Sequence, residues 1–269
     1  DGNRLIPALR WNNDQMPLAE LVKALDTAGE GLPAAYEALR NRLTVEGEKG
    51  NEGKEELSGS PQLFAAVLVA CLRDITLKDD NEELCTSAIK LAVVLAYNRP
   101  LRSVFNGEQI RALLGHACEV VQATQNKKVM SMCLWLLSMQ SFTGAQVGAQ
   151  LPAMLAAVHA GLENRLSSET VQLEALRALT RVLKQSPSNS KVPLESALAV
   201  DGTRPGWLLL LLSSAARGKA AVRDAAHECL ELEHTLRVIE ALDPTAVSDA
   251  VTASLNGPAG LLHALTAAV

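Results

Sequence analysis

One recurrence constrains this chain more than any other feature. Four segments share a template: a polar start, an aliphatic anchor, a small residue four positions later and an apolar residue eight positions later. They are NEELCTSAIKLAVVL from Asn81, NKKVMSMCLWLLSM from Asn126, SETVQLEALRALTRVL from Ser168 and KAAVRDAAHECLEL from Lys219. The anchors are Leu84, Val129, Val171 and Val222, and the small residues are Ala88, Cys133, Ala175 and Ala226. Ala92, Leu137, Leu179 and Leu230 complete the set. Positions four and eight apart share one face of an α-helix. A small residue at the centre of that face suits close approach to another helix. The anchors lie 45, 42 and 51 residues apart, and another apolar segment precedes each.

A helix pair recurring at this interval has the period of HEAT and armadillo repeats. The expected fold is therefore all-α, a HEAT/armadillo-like α-solenoid of helix pairs in which neighbours contact neighbours. Residues 1–269 are read as a single α-helical repeat domain. It has an N-terminal helical pair at 17–43, a flexible loop at 44–60 and HEAT-like repeats over 61–269. The competing reading is an irregular helical bundle with coincidental alanine spacing. Composition supports helices, because the chain is 48% hydrophobic and only 3% aromatic. That balance excludes a β-sandwich or barrel and disfavours an aromatic cleft for single strands.

Prolines punctuate the chain between apolar-periodic segments. The helices so delimited are 17–28, 33–43, 61–77, 81–97, 107–125, 127–141, 150–165, 168–186, 206–216, 218–241, 244–255 and 258–268. The Gly- and Glu-rich stretch 44–60 has no apolar period and reads as a loop. Residues 188–204 form a second insertion, less polar and with room for one helical turn. No alternating strand is evident.

A net charge of −5 argues against a strongly basic DNA-wrapping domain, without excluding a local basic face. The five cysteines are scattered through apolar helical contexts, which reads as buried thiols in an intracellular protein. No signal peptide is evident, and no apolar run approaches the roughly 20 residues of a membrane span. The chain starts at Asp1 and stops in an apolar run, and is read as a fragment of a larger protein.

Catalytic and cofactor motifs are missing. There is no phosphate-binding glycine loop, nucleophile elbow, HExxH or CxxC. His227 and His234 are seven apart and share a face if one helix runs through both, but no third ligand is near. Asp79-Asp80 and Glu82-Glu83 suit a helix start, where they complement the dipole. The reading is no enzyme, no metal and no cofactor.

The second repeat carries a family resemblance. Leu134-Trp135-Leu136-Leu137-Ser138-Met139-Gln140-Ser141-Phe142 resembles the LW-x-x-S-x-Q-x-F motif of the Rif (Rap-interacting factor) family, in its N-terminal HEAT domain. Val147-Gly148 follows at the family's distance. Glu174-Ala175-Leu176, Arg181, Leu183, Gln185 and Pro187 resemble its EAL…RL…Q-x-P stretch. NEELCTSAIKLAVVLAYNRPL is similar to its first recognisable helix pair. Pro17-Leu18-Ala19 with Ala35-Tyr36 and Leu39 resembles its N-terminal end. The 44–60 stretch and the 188–204 insertion depart from the family pattern.

The resemblance implies a nuclear, chromatin-bound scaffold acting at telomeres, in replication timing and in double-strand-break repair. It implies recruitment of a protein phosphatase, binding of DNA or a phosphorylated protein partner, and self-association. Arg181-Val182-Leu183-Lys184 lacks the closing Phe of a phosphatase-docking motif, and Arg102-Ser103-Val104-Phe105 has it one place early. Docking is therefore expected from regions outside this fragment.

Basic residues supply the candidate site. Arg177, Arg181 and Lys184 follow i, i+4, i+7 on one helix face. Lys127 and Lys128 open the equivalent helix of the preceding repeat, and Arg217, Lys219 and Arg223 lie at the same stage of the following one. Stacked in register, they would form a ridge for DNA or a phosphopeptide. The bland reading is a solvated face. A generic HEAT adaptor with a peptide-binding groove is the alternative function. Trp135 and Trp207 are expected in the layers between helices.

Overall fold

The computed structural model describes residues 16–76, 81–163, 168–187, 190–200 and 204–256. The elements run α1 (Leu18–Thr27), α2 (Leu32–Thr44), α3 (Glu48–Gly59), α4 (Pro61–Asp74), α5 (Glu82–Tyr97), α6 (Arg99–Arg102), α7 (Gly107–Ala123) and α8 (Lys127–Met139). Then come α9 (Gly144–Val147), α10 (Leu151–Glu163), α11 (Glu169–Gln185), α12 (Val192–Glu195), β1 (Ala199–Val200) and β2 (Arg204–Pro205). The last four are α13 (Trp207–Arg217), α14 (Ala220–Leu230), α15 (Glu233–Ala241) and α16 (Pro244–Asn256). The protein is all-α, with helices packed in neighbouring pairs. Prolines stand in the first turns of α2, α4, α6 and α12, where the missing N–H is not needed.

The chain divides into two compact units, one running to Leu113 with Met139–Phe142, the other formed by Leu114–Ser138 and the residues from Thr143. In the first unit, α1 packs on α2 and α4 on α5. The two pairs stack like on like, α1 against α4 and α2 against α5. A buried polar group ties three of these helices. Tyr36 Oη donates to Asp74 Oδ2 at 2.7 Å. The Arg73 guanidinium takes both carboxylate oxygens of Asp74, at 2.8 and 2.7 Å. It also reaches Asp26 Oδ1 and the Leu25 carbonyl at the end of α1. Burial, foremost, and the neighbouring acid push the Tyr36 hydroxyl far above its ordinary range, so it stays a neutral donor. Phe64, Phe105 and Phe142 pack edge to face in a row, with ring centroids 4.9 and 5.1 Å apart.

The expected loop at 44–60 is corrected here, since residues 48–59 form α3. Its glycines act as spacers rather than breakers. Gly50 and Gly53 are buried, and a Cβ on Gly50 would run into the Val45 carbonyl oxygen. With no side chains at these two places, the helix turns back tightly onto the end of α2, and Leu57 enters the core.

In the second unit α10 pairs with α11 and α13 with α14. The pairs again stack like on like, α10 against α13 and α11 against α14. The small residues of the template do what their spacing predicts. Ala88, Cys133, Ala175 and Ala226 are all 0% exposed, on α5, α8, α11 and α14. A Cβ on Gly161 of α10 would stand 2.8 Å from Leu134 Cδ1 and 3.0 Å from the Ala175 Cβ. Gly161 and Ala175 thus mark the close crossing of α10 and α11.

Three further expectations are revised. Residues 218–241 are two helices, broken at Glu231–Leu232. Thr235 Oγ1 donates to the Cys229 carbonyl at 2.6 Å and takes up one of the carbonyls left open at the end of α14. His227 and His234 therefore sit on different helices. The 188–204 insertion holds the one-turn α12 and the short antiparallel pair β1–β2, with Ala199 opposite Pro205 and Val200 opposite Arg204. Trp207 is buried, its Nε1 donating to the Pro193 carbonyl at 2.7 Å, whereas Trp135 is half-buried. The helix expected at 258–268 lies outside the described residues.

Candidate functional site

Helix α11 carries the central stripe of the expected basic ridge. Its anchor Val171, small Ala175 and Leu179 face the core, which turns Arg177 and Lys184 to solvent and leaves Arg181 half-buried. Each of the three has a different environment. Arg177 Nη1 pairs with Glu174 Oε1 at 2.6 Å, and Glu174 itself is buried with its other oxygen enclosed. Arg181 Nε donates to the Ser138 carbonyl at 3.0 Å, joining α11 to the last turn of α8. Lys184 is exposed near Cys229 of α14, where it favours the thiolate while burial dominates and raises the thiol.

The other candidates lie on α8, α13 and α14. Lys127 and Lys128 are exposed at the start of α8. Arg217 ends α13, Lys219 caps α14 and Arg223 lies one turn on, all exposed. Lys219 Nζ pairs with Glu169 Oε2 at 3.3 Å, so α11 and α14 meet start to start.

The arrangement is thus separate groups rather than one unbroken row, with Lys127 and Lys128 apart at the start of α8. Arg217, Lys219 and Arg223 stand at the end where α11 and α14 begin. Arg177, Arg181 and Lys184 occupy the later half of α11, and Glu169 to Lys184 spans about 22 Å at 1.5 Å per residue. Among the described residues, Lys127, Lys184, Arg217 and Arg223 carry no ion pair.

A second polar group escaped the sequence reading. His159 Nε2 lies 2.7 Å from the Pro205 carbonyl, while Glu163, one turn along α10, holds the Arg204 guanidinium. Two consecutive residues of β2 are therefore fixed by one helix face. The i, i+4 spacing of His159 and Glu163 was the available signal. A shallow cleft of about 430 Å³ opens beside them, lined by Gln122, Gln125, Met130, Ala160, Glu163 and Arg204.

The five cysteines are free and buried. Burial pushes the Cys118 thiol up to about 12 and raises those of Cys71 and Cys85, which suits packing rather than nucleophilic chemistry. Among the described residues no group of three His, Cys, Asp or Glu side chains could hold a metal ion, and no helix is long and apolar enough to cross a membrane.

The stretch containing α8, α10 and α11 also decides the family. Residues 33–197 match the family described as Rap1-interacting factor 1 N terminal. The chain belongs to this family. It is 25% identical over 178 residues to the telomere-associated protein RIF1 of Homo sapiens, and 22% identical over 173 residues to that of Gallus gallus. Each match covers 64% of this chain but 7% of the relative.

Membership in the Rap1-interacting factor 1 N-terminal family gives the motif residues a structural meaning. Leu134, Leu137, Gln140 and Phe142 are buried, and the Gln140 side chain accepts from the Phe142 N–H. Ser138 and Arg181 come from the two separate blocks of the motif and meet directly through the carbonyl contact. Lys127, Lys128, Arg177, Arg181 and Lys184 fall inside the matched residues. Arg217, Lys219 and Arg223 lie beyond them.

Proposed function

We propose that this chain is a non-enzymatic scaffold region of a Rap1-interacting factor 1-like protein, binding phosphate groups of DNA or of a phosphorylated protein on chromatin. The family match carries this reading. It extends to a nuclear setting, telomere maintenance, replication timing and double-strand-break repair, with a protein phosphatase engaged through other regions. The contacts are assigned to Lys127, Lys128, Arg177, Arg181, Lys184, Arg217, Lys219 and Arg223. All of these groups but the half-buried Arg181 are exposed, which supports the assignment, since they can meet phosphates through charge-assisted hydrogen bonds.

The alternative is a scaffold that takes a peptide from a partner protein. It is favoured by the ion pairs Arg177–Glu174 and Lys219–Glu169, which neutralise part of the ridge.

Titration with duplex DNA and with a phosphopeptide, each at two salt concentrations, separates the readings. Each phosphate neutralised on a duplex adds a slope of about −0.9 to log affinity against log salt. Three contacts therefore predict about a 40-fold loss between about 50 and 200 mM salt. Lys184→Glu with Arg223→Glu, at sites free of ion pairs, should weaken binding and leave helicity unchanged. Binding that ignores both salt and these reversals favours the peptide reading.

A further inference from the structure

Glu174 of α11 is a carboxylate in a costly place. It is 8% exposed, and its neighbours along the helix, Val171, Ala175 and Ala178, are all buried. Its Oε1 accepts from Arg177 Nη1 at 2.6 Å, whereas its Oε2 is enclosed and has no hydrogen-bond donor among the described residues. A buried charge with an open acceptor destabilises a fold, so packing alone does not account for it. Its partner is a surface cation, since the Arg177 side chain is 55% exposed.

The two acids that pair with the basic residues of α11 and α14 are therefore of different kinds. The Glu169 side chain is 41% exposed, so a phosphate can draw Lys219 away from it at little cost. Glu174 cannot release Arg177 so readily, because the charge left behind would be buried and unpaired. Arg177 does not have to leave. A guanidinium carries five N–H donors in a rigid plane. Holding Nη1 fixes that plane, and Nε and Nη2 remain for an oxyanion. Fixing it beforehand also removes rotamer freedom that a ligand would otherwise have to freeze. The exposed cations are spread over α8, α11, α13 and α14, which suits the serial phosphates of a duplex better than one isolated phosphate.

We propose that Glu174 is a positioning residue for duplex DNA: it holds the Arg177 guanidinium by Nη1, so that Nε and Nη2 meet one backbone phosphate. The role rests on the phosphate-binding reading of this surface and gives one of its acids a part in it.

Titration of the full chain with duplex DNA tests this through the sign of an effect. Removing a negative charge beside a phosphate ordinarily tightens binding. Positioning predicts the reverse: Glu174→Gln should weaken duplex binding by about 5-fold, since the hydrogen bond that holds Arg177 loses its charge. In an Arg177→Ala chain the same change should alter the affinity by less than about 2-fold, because the two residues act as one unit. Equal weakening in both chains would make Glu174 merely structural and overturn the proposal, as would tighter or unchanged binding by Glu174→Gln alone. Side-chain NMR of the unaltered chain gives a second arm that depends on no variant. Rotation of the Arg177 guanidinium about Nε–Cζ should be slowed both without DNA and with it, and free rotation in either state overturns the role. Lys184→Glu with Arg223→Glu separates the two levels. If these reversals weaken duplex binding while Glu174→Gln does not, only the positioning role is lost. If they leave duplex binding unchanged, the phosphate reading falls and the role falls with it.

Discussion

The two units stack their helix pairs in the same like-on-like manner, yet they place charge in opposite ways. In the first, Tyr36, Asp74 and Arg73 lie between α1, α2 and α4, with Asp74 only 7% exposed and both of its oxygens hydrogen-bonded. In the second, apart from the buried Glu174 and the half-buried Arg181, the charges of α11 and α14 stand on the outside, and Lys219 and Glu169 touch across open surface. The first arrangement specifies how three helices meet. The second leaves cations free to exchange one anion for another. A buried carboxylate with three donors is expensive to disturb, and an exposed pair is cheap.

The largest expected effect therefore sits in the first unit. Asp74→Ala strips Tyr36 Oη of its acceptor and Arg73 of its main partner, which should cost about 3 kcal/mol of unfolding free energy. Chemical denaturation of the full chain measures it. A loss no larger than that of an exposed pair would remove the contrast between the units. Next comes the close crossing in the second unit. Ala175→Leu adds three heavy atoms where Gly161 and Leu134 already meet Ala175, so about 1–3 kcal/mol is expected from overpacking. Ala175→Ser, nearly equal in volume, should cost much less by the same measurement.

Most of the helices were legible in the sequence because the template states which residue must be small. Ala88, Cys133, Ala175 and Ala226 follow from spacing alone, and all are buried. The misreadings have physical causes. Glycines at 50 and 53 look like breakers until the Val45 carbonyl is seen against them. The apolar period runs on past Leu230, and it takes the Thr235 hydroxyl on the Cys229 carbonyl to end the helix there. At the candidate site, the stripe Arg177, Arg181 and Lys184 was readable from its i, i+4, i+7 spacing. The contact of Arg181 with the Ser138 carbonyl was not, because it joins residues 43 apart. Asp74 gave a fainter signal, an acid closing an otherwise apolar helix, but its partner Tyr36 lies 38 residues away.

The smallest effect sharpens the comparison most. Lys219 and Glu169 have side chains 78% and 41% exposed, so solvent and salt screen their attraction. A double-mutant cycle with Lys219→Ala and Glu169→Gln should give a coupling of about 0.2–1 kcal/mol at low salt. Glu169→Gln alone carries an extra few tenths of a kcal/mol, since the carboxylate also complements the N-terminal dipole of α11. Raising the salt to about 1 M contracts the screening length to about 3 Å and should erase the coupling. The Asp74 contribution should largely persist under the same conditions, because Asp74 and Tyr36 are buried even though the Arg73 side chain is 44% exposed. If the Lys219–Glu169 coupling instead survives high salt, that pair is structural like the buried one. Lys219 would then be unavailable to a phosphate, and the proposed contacts at the start of α14 would shrink to Arg217 and Arg223.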